Sequence, residues 1–453
     1  MLTKSKQADK GKQIPEATTE GSAPALVARQ PVFDQQGRVW GYELLLREPA
    51  LQAGLGGRSS SAATSTVRLD GLDRMRPMRR PKQRLRINGS AEFLEAEIPA
   101  MLPPDVCTIE ILETVKPTPK VLKGLSSLKQ KGYMLALDDY IGQDDLKPFL
   151  PLVDIIKVDV LASKEDDLSS LVESLTDYPG KLLAEKVEDS ETVNLCRSFG
   201  FALFQGFFYS KPEVVWGKKL NPSQVTKTRL LALSAGDDPD ISKISQAISA
   251  DVYLTFKLLK FINSLYFGLP TQVRSVEHAI KLMGVQRIKQ WLCVTALAEM
   301  DSTPMSQEIV FISALRAKFL EMLADKHPGS RLQGRDFPGK LFITGLFSML
   351  EGILRIPLKE VFSSIALDKD IIQVLCDRSG HLSSWYLLMT SYEQGHWEEV
   401  KFHARRLGLH DADLASAYVE AGKWSTSLFG SSVSRKEFEN ETKKSSKPAA
   451  NAG

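Results

Sequence analysis

Eight residues in the first half of the chain carry side chains suited to a hard cation or a phosphate, and they recur at one kind of place. Glu43 closes VWGYE, Asn88 closes LRIN, Glu110 sits in CTIEIL, Asp138 and Asp139 close YMLALDD, Lys157 sits in IIKVD, Glu185 closes KLLAE and Gln205 closes FALFQ. Each belongs to a short apolar, β-forming run, so each reads as the polar end of a strand. If the strands close into a barrel, their ends converge on one mouth and five carboxylates share a site with amide and amine groups. Carboxylates packed together raise one another's pKa unless a cation compensates. Oxygen ligands without His or Cys suit Mg²⁺ or Mn²⁺, and paired ions of this kind fit in-line attack of water on a phosphodiester. Lys157 would stabilise negative charge or position the attacking water.

The elements that must position these residues follow from the periodicity. The runs VWGYELLL, LRING, CTIEIL, YMLALDD, IIKVDV, KLLAEKVE and FALFQGFFY alternate with helical stretches such as PKVLKGLSSLKQKG and DSETVNLCRSFG. Continuous apolar strands separated by helices predict a (β/α) barrel with both strand faces covered. A doubly wound open sheet is the alternative, but no GxGxxG turn follows any strand. Around SKPEVVWGKKLNPSQV, residues 210 to 225, the pattern turns helical, as in AIKLMGVQRIKQWLCVTALAEM and FISALRAKFLEMLADK, with breaks at Gly268-Leu269-Pro270, Thr303-Pro304 and Ile356-Pro357. The chain is therefore expected to be α/β plus all-α: a disordered tail over 1–24, a TIM-like (β/α) barrel over 25–213, a linker over 214–225, an all-helical domain over 226–429 and a second disordered tail over 430–453.

The length of 453 residues fits more than one domain, and 58 Lys plus Arg against 55 Asp plus Glu give a formal charge of +3, which argues against a dedicated nucleic-acid or membrane-surface binder. The eight basic residues in VRLDGLDRMRPMRRPKQRLR, residues 67 to 86, read as a solvated loop and helix face ahead of the second of these runs, since no aromatic side chains are interleaved for stacking on bases. Cys107, Cys196, Cys293 and Cys376 have neither CxxC nor zinc spacing and read as buried thiols. No signal peptide and no membrane-length apolar run is present, so a cytoplasmic protein is expected.

At this point the motifs resemble a family. GYELLLR resembles the EAL signature, and IEILE, LALDDY, IKVDV, LLAEKVE and FQGFFYSKP follow in EAL-domain order, over about residues 27 to 213. EAL domains are (β/α) barrels that hydrolyse cyclic di-GMP to the linear dinucleotide with Mg²⁺ or Mn²⁺. The resemblance implies metal ligation by Glu43, Asn88, Glu110, Asp138, Asp139 and Glu185. It also implies substrate contact by Arg47 and Gln205, catalytic roles for Lys157 and Gln205 with Glu188 assisting them, and a supporting role for Glu113. The chain departs from the family pattern at Leu44 in the signature, at Leu112 for a threonine, at Lys186 for a glycine and at Ile141 for the first glycine of the loop after the aspartate pair. That loop couples metal binding to dimerisation in the family, and Ile141 cannot adopt glycine conformations without strain.

The run LLKFINSLYFGLPTQVRSVEHAIKLMGVQRIKQWLCVTALAEM resembles the HDOD domain, a helical relative of the HD and HD-GYP phosphohydrolases, over about residues 220 to 410. Where those enzymes have a His-Asp pair, GLFSMLEG offers Ser348 and Met349. The six histidines form no HxxxH or HD pair, so this half is expected to be non-catalytic, with His278 structural or on the surface. The whole is similar to two-domain EAL-HDOD signalling proteins. That similarity implies a cyclic di-GMP-related signal transducer with weak or absent hydrolysis, acting as receptor or scaffold through its HDOD half on an unidentified signalling protein, with a homodimer as an expected state. The alternative is an active Mg²⁺- or Mn²⁺-dependent phosphodiesterase regulated by that half.

Overall fold

The computed structural model describes residues 26–47, 75, 78, 83–95, 99, 102–162, 165–209, 241–334, 336–363 and 367–429. The expected tails 1–24 and 430–453 and the expected linker 214–225 lie outside the described residues. Strands β1 (Val27–Asp34), β2 (Val39–Leu46), β3 (Arg84–Gly89), β4 (Cys107–Ile111), β5 (Met134–Leu137), β6 (Ile155–Asp159), β7 (Lys181–Glu185) and β8 (Leu203–Gln205) close into a barrel in chain order. All seven expected runs contain a strand. The eighth, VARQPVFD, was not expected: Pro31 and the polar Arg29 and Gln30 interrupt its apolar run. This β1 runs antiparallel to both neighbours, β2 and β8, whereas the other pairs are parallel.

Barrel helices α1 (Ala91–Glu95), α2 (Pro119–Gln130), α3 (Glu165–Ser174) and α4 (Ser190–Ser198) cover the outside. In α2 the Thr118 hydroxyl accepts from the Val121 amide, Pro119 opens the helix, and Val121, Leu125 and Leu128 form the buried stripe. Inside, Val32, Ala136, Ile155, Leu183 and Leu203 fill the barrel with an apolar plug.

The link from β1 to β2 is a tight turn held by Asp34, whose carboxylate accepts from the Gln36 and Arg38 amides. No helix fits in so short a connection, which leaves the outer faces of β1 and β2 to be covered by the second half of the chain. That half comprises α5 (Ile241–Ala250), α6 (Val252–Ile262), α7 (Val276–Met283), α8 (Val285–Ala298), α9 (Pro304–Lys326), α10 (Phe337–Phe347), α11 (Leu350–Leu354), α12 (Leu358–Ser363), α13 (Lys369–Asp377), α14 (Ser383–Gln394), α15 (Trp397–Arg406) and α16 (Asp411–Phe429). The expected breaks fall between these helices. Helix α9 is central and packs on α10 and α16. Gly345 permits the α9–α10 approach, since a Cβ there would lie 2.5 Å from the Ala317 amide nitrogen.

One apolar core runs without interruption from Leu26, Ala28, Tyr42 and Leu44 of the barrel to Phe311, Tyr418 and Phe429 of the helices. At the junction the Arg29 guanidinium lies over both the Tyr42 and Phe311 rings, 4.1 and 4.5 Å from their centroids. Tyr42 Oη donates to Glu308 Oε1 of α9 at 2.8 Å, and Glu308 is fully buried. Among the described residues no helix is long and apolar enough to cross a membrane. Tyr42→Phe removes a donor from a buried carboxylate and is expected to cost about 1–3 kcal/mol, read as a lower urea midpoint at unchanged slope; an unchanged midpoint would show that the bond contributes nothing.

Candidate functional site

Alternation along each strand builds the site. Residues two apart share a face, so the strands that plug the barrel floor with Val32, Ala136, Ile155, Leu183 and Leu203 carry Gln30, Asp138, Lys157, Glu185 and Gln205 one layer nearer the mouth. On the remaining strands Glu43 lies beside Arg86, and Asn88 beside Glu110, in the parallel registers. The result is a layer of charge above an apolar floor.

Lys157 is the hub of this layer. Its Nζ contacts Glu110, and lies 2.6 Å from Asp138 Oδ1, 2.9 Å from Glu185 Oε1 and 3.8 Å from Glu43 Oε2. Arg86, with no exposed side-chain surface, donates from Nη2 to Glu43 Oε2 at 2.5 Å and to Gln205 Oε1, while its Nε lies 3.6 Å from Glu110 Oε2. Gln205 Nε2 donates in turn to Glu43 Oε2 at 2.7 Å and to Gln30 Oε1 at 2.8 Å. Burial pushes the Glu43 carboxyl up, but Lys157, Arg86 and the Gln205 hydrogen bond outweigh it and hold the group down at about 2. For Glu110, Asp138 and Glu185 burial wins over the neighbouring cations, and their carboxyls are raised, Glu185 to about 7.

Of the residues singled out from sequence, Glu43, Glu110, Asp138, Lys157, Glu185 and Gln205 thus come together in this layer. Asp138, Asp139 and Glu185 also form a group of their own, each with a carboxylate oxygen within 4.8 Å of the others. Asn88 Oδ1, Glu110 Oε2 and Asp139 Oδ1 are buried without a hydrogen-bond partner. Glu113 and Glu188 lie on exposed segments beyond β4 and β7. Arg47, just past β2, donates to Asp411 Oδ2 at the start of α16 at 2.7 Å, so in this structure it bridges barrel and helices. Asp144 and Asp145 lie outside the layer, paired with Lys147 and Lys116.

Two expectations change. Ile141 is not strained: the left-handed positions of its loop are Asp139, at φ 42°, and Gly142, at φ 94°, and the Ile141 side chain is 65% exposed. The Gln143 side chain ties the turn, accepting from the Ile141 amide and donating to the Asp139 carbonyl. The basic stretch 67–86 is not wholly a solvated loop, since Arg84 and Arg86 belong to β3 and Arg86 points into the barrel; apart from Met75, Met78 and Gln83, the rest of it lies outside the described residues. Arg86 and Gln30 are the site residues that the sequence reading missed. The signal for Arg86 was present, because it stands two residues before Asn88 on the same strand face.

In the helical half, Ser348 Oγ accepts from Arg316 Nη1 at 3.0 Å, and Arg316 is paired with Glu393 at 2.6 Å. Its surroundings are a buried ion pair capped by a hydroxyl. His278 is exposed at the start of α7.

The donor set fits a hard divalent cation: Asp138, Asp139 and Glu185 supply oxygens alone, and Asn88 and Asp139 each add a buried oxygen without a hydrogen-bond partner.

Comparison with known proteins adds the family context. The HDOD domain model matches residues 221–353. The chain is 28% identical over 405 residues to the cyclic di-GMP phosphodiesterase CdgJ of Vibrio cholerae, which spans 89% of this chain and 92% of the relative. It is 29% identical over 412 residues to the protein YuxH of Bacillus subtilis, across 89% of this chain and 98% of YuxH. Among solved structures, the chain is similar to an EAL domain protein from Listeria monocytogenes, at 20% identity and a TM-score of 0.33, over 41% of this chain and 87% of that one. It is also similar to Klebsiella pneumoniae BlrP1 in a manganese/cyclic di-GMP complex, at 25% identity and a TM-score of 0.32, over 43% and 57%. The match to the HDOD domain model thus falls on the helical half of the chain, and the closed eight-stranded barrel precedes it.

Proposed function

We propose that this chain is a cyclic di-GMP signalling protein whose barrel holds the nucleotide with weak or absent hydrolysis and whose HDOD half passes the state of the barrel to a protein partner. One observation carries the reading: β2 belongs to both halves. Glu43 faces the charged layer, while the adjacent Tyr42 bonds the buried Glu308 of α9 and Arg47, one residue past the strand, holds Asp411 of α16. A shift of β2 on ligand binding is therefore felt in the helices directly. Asp138, Asp139 and Glu185 would hold an Mg²⁺ or Mn²⁺ ion, with Asn88 close by in the layer, and such an ion supplies Lewis acidity toward a phosphodiester. Lys157 and Gln205 would meet the phosphate charge, and Arg47, once it leaves Asp411, would contact a ligand at the mouth. The similarity to a protein named as a cyclic di-GMP phosphodiesterase supports the choice of nucleotide.

Weak or absent hydrolysis follows from how the inner carboxylates are engaged. Glu43 is bonded to Arg86 and Gln205, and Glu110 to Lys157, so neither is free to rearrange around a reacting phosphate. A second reading, an active phosphodiesterase regulated by the HDOD half, is favoured by the grouping of Asp138, Asp139 and Glu185.

Incubation of the full chain with cyclic di-GMP and Mn²⁺ or Mg²⁺, following binding and linear dinucleotide together, is expected to give binding with little or no product. Fast turnover abolished by Glu43→Ala would establish the second reading, and neither binding nor turnover would overturn both. Asp411→Ala releases Arg47 from a partly buried ion pair worth about 1 kcal/mol, so nucleotide affinity is expected to rise by up to roughly fivefold. Unchanged or weaker affinity in that variant would mean that Arg47 does not meet the ligand.

A further inference from the structure

We infer that Arg86 serves as the inner cation of the barrel, taking the place of one of the two divalent ions that a paired-metal phosphodiester site needs, so that the mouth binds a single divalent ion on Asp138, Asp139 and Glu185. The inference rests on the metal-dependent cyclic di-GMP reading of the mouth and sharpens it to a stoichiometry.

Three features separate Arg86 from an ordinary strand residue. Its side chain has no exposed surface and stands inside the barrel next to Glu43 in the β2–β3 register. Its guanidinium donates to Glu43 and Gln205 and its Nε lies 3.6 Å from Glu110 Oε2, so it stands between the two inner carboxylates. Its Nη1 is buried without a hydrogen-bond partner. A group with that incomplete satisfaction is held for its charge. An ion ligated by both Glu43 and Glu110 would have to bind about 2.0–2.1 Å from their oxygens, against a guanidinium that already donates to Glu43 and lies 3.6 Å from Glu110 Oε2.

The outer carboxylates are different. They too contact a cation, Lys157, at 2.6 Å from Asp138 and 2.9 Å from Glu185. But an ammonium on a flexible four-carbon stem can swing to Glu43 or Glu110 when an ion enters, whereas the planar guanidinium fixed by Glu43 and Gln205 cannot. Asp139 contacts neither fixed cation among the ion pairs described and adds a buried, partnerless oxygen to the outer group. With every group charged, five carboxylates outnumber Arg86 and Lys157, so the layer takes a divalent ion, and Arg86 already supplies one positive charge beside the inner carboxylates. A guanidinium supplies that charge permanently, yet it cannot acidify water as a metal ion does. The site is thereby built to hold an anionic nucleotide and is poor at cutting it.

The test is Mn²⁺ alone, titrated into the full chain with the number of bound ions counted by native mass spectrometry. The wild type is expected to bind one ion, with the paramagnetic resonance spectrum of isolated Mn²⁺. Arg86→Ser is expected to bind two, with a spin-coupled spectrum, and Arg86→Lys, which keeps the charge, one. Two ions in the wild type overturn the inference even if Arg86→Ser fails to fold, as does a folded Arg86→Ser that still binds one. Cyclic di-GMP binding measured on the same samples separates the two claims: nucleotide binding with two ions in the wild type sinks the inference and leaves the proposed function standing, and no nucleotide binding with any number of ions overturns both.

Discussion

The structure depends on how a barrel interior tolerates buried charge. Carboxylates cannot be taken out of water in a group unless cations and hydrogen bonds are brought in with them, because each uncompensated charge costs several kcal/mol. Here Lys157 touches four carboxylates and Arg86 clamps Glu43 and Gln205 beneath the mouth. Below this layer the interior is apolar and needs no such compensation. The barrel thus has a dry floor that fixes the strands and a charged ceiling that can change state.

The second constraint is topological. An antiparallel β1 joined to β2 by a tight turn leaves one sector of the barrel without its own helix, and the helical half fills that sector with a continuous core. The two halves are therefore not independent bodies on a string. The strand that carries Glu43 into the site is the same strand that anchors Tyr42 and Arg47 on the helices, and alternation of side chains makes this unavoidable: adjacent residues must face opposite sides. The charged layer and the docking of the helical half share one backbone.

Much of this was legible before any coordinates. The polar ends of seven apolar runs predicted the barrel and most of the layer, because strand period and barrel closure convert sequence spacing into proximity with few alternatives. The helical half was readable from its 3.6-residue period and its Pro and Gly breaks. What escaped notice had physical reasons. Pro31 and two polar residues hide strand β1, because their surroundings are tertiary: Arg29 lies over Phe311 of the helices and Gln30 bonds Gln205 inside the barrel. Arg86 ends a run of basic residues, whose usual place is the surface, although its spacing from Asn88 points inward. Strain at Ile141 was inferred from residue type alone, whereas the turn places its left-handed conformations at Asp139 and Gly142. Arg47 reads as a ligand contact from its motif, and only the fold reveals that Asp411, 364 residues away, competes for it.

If the state of the barrel mouth is transmitted through β2 to the helical half, amide hydrogen exchange of the full chain, with and without cyclic di-GMP and Mn²⁺, will show altered protection not only at the strand ends but also in α9 and around the start of α16, where Glu308 and Asp411 receive Tyr42 and Arg47. Protection that changes in the barrel and leaves those helices untouched, with nucleotide demonstrably bound, would contradict it.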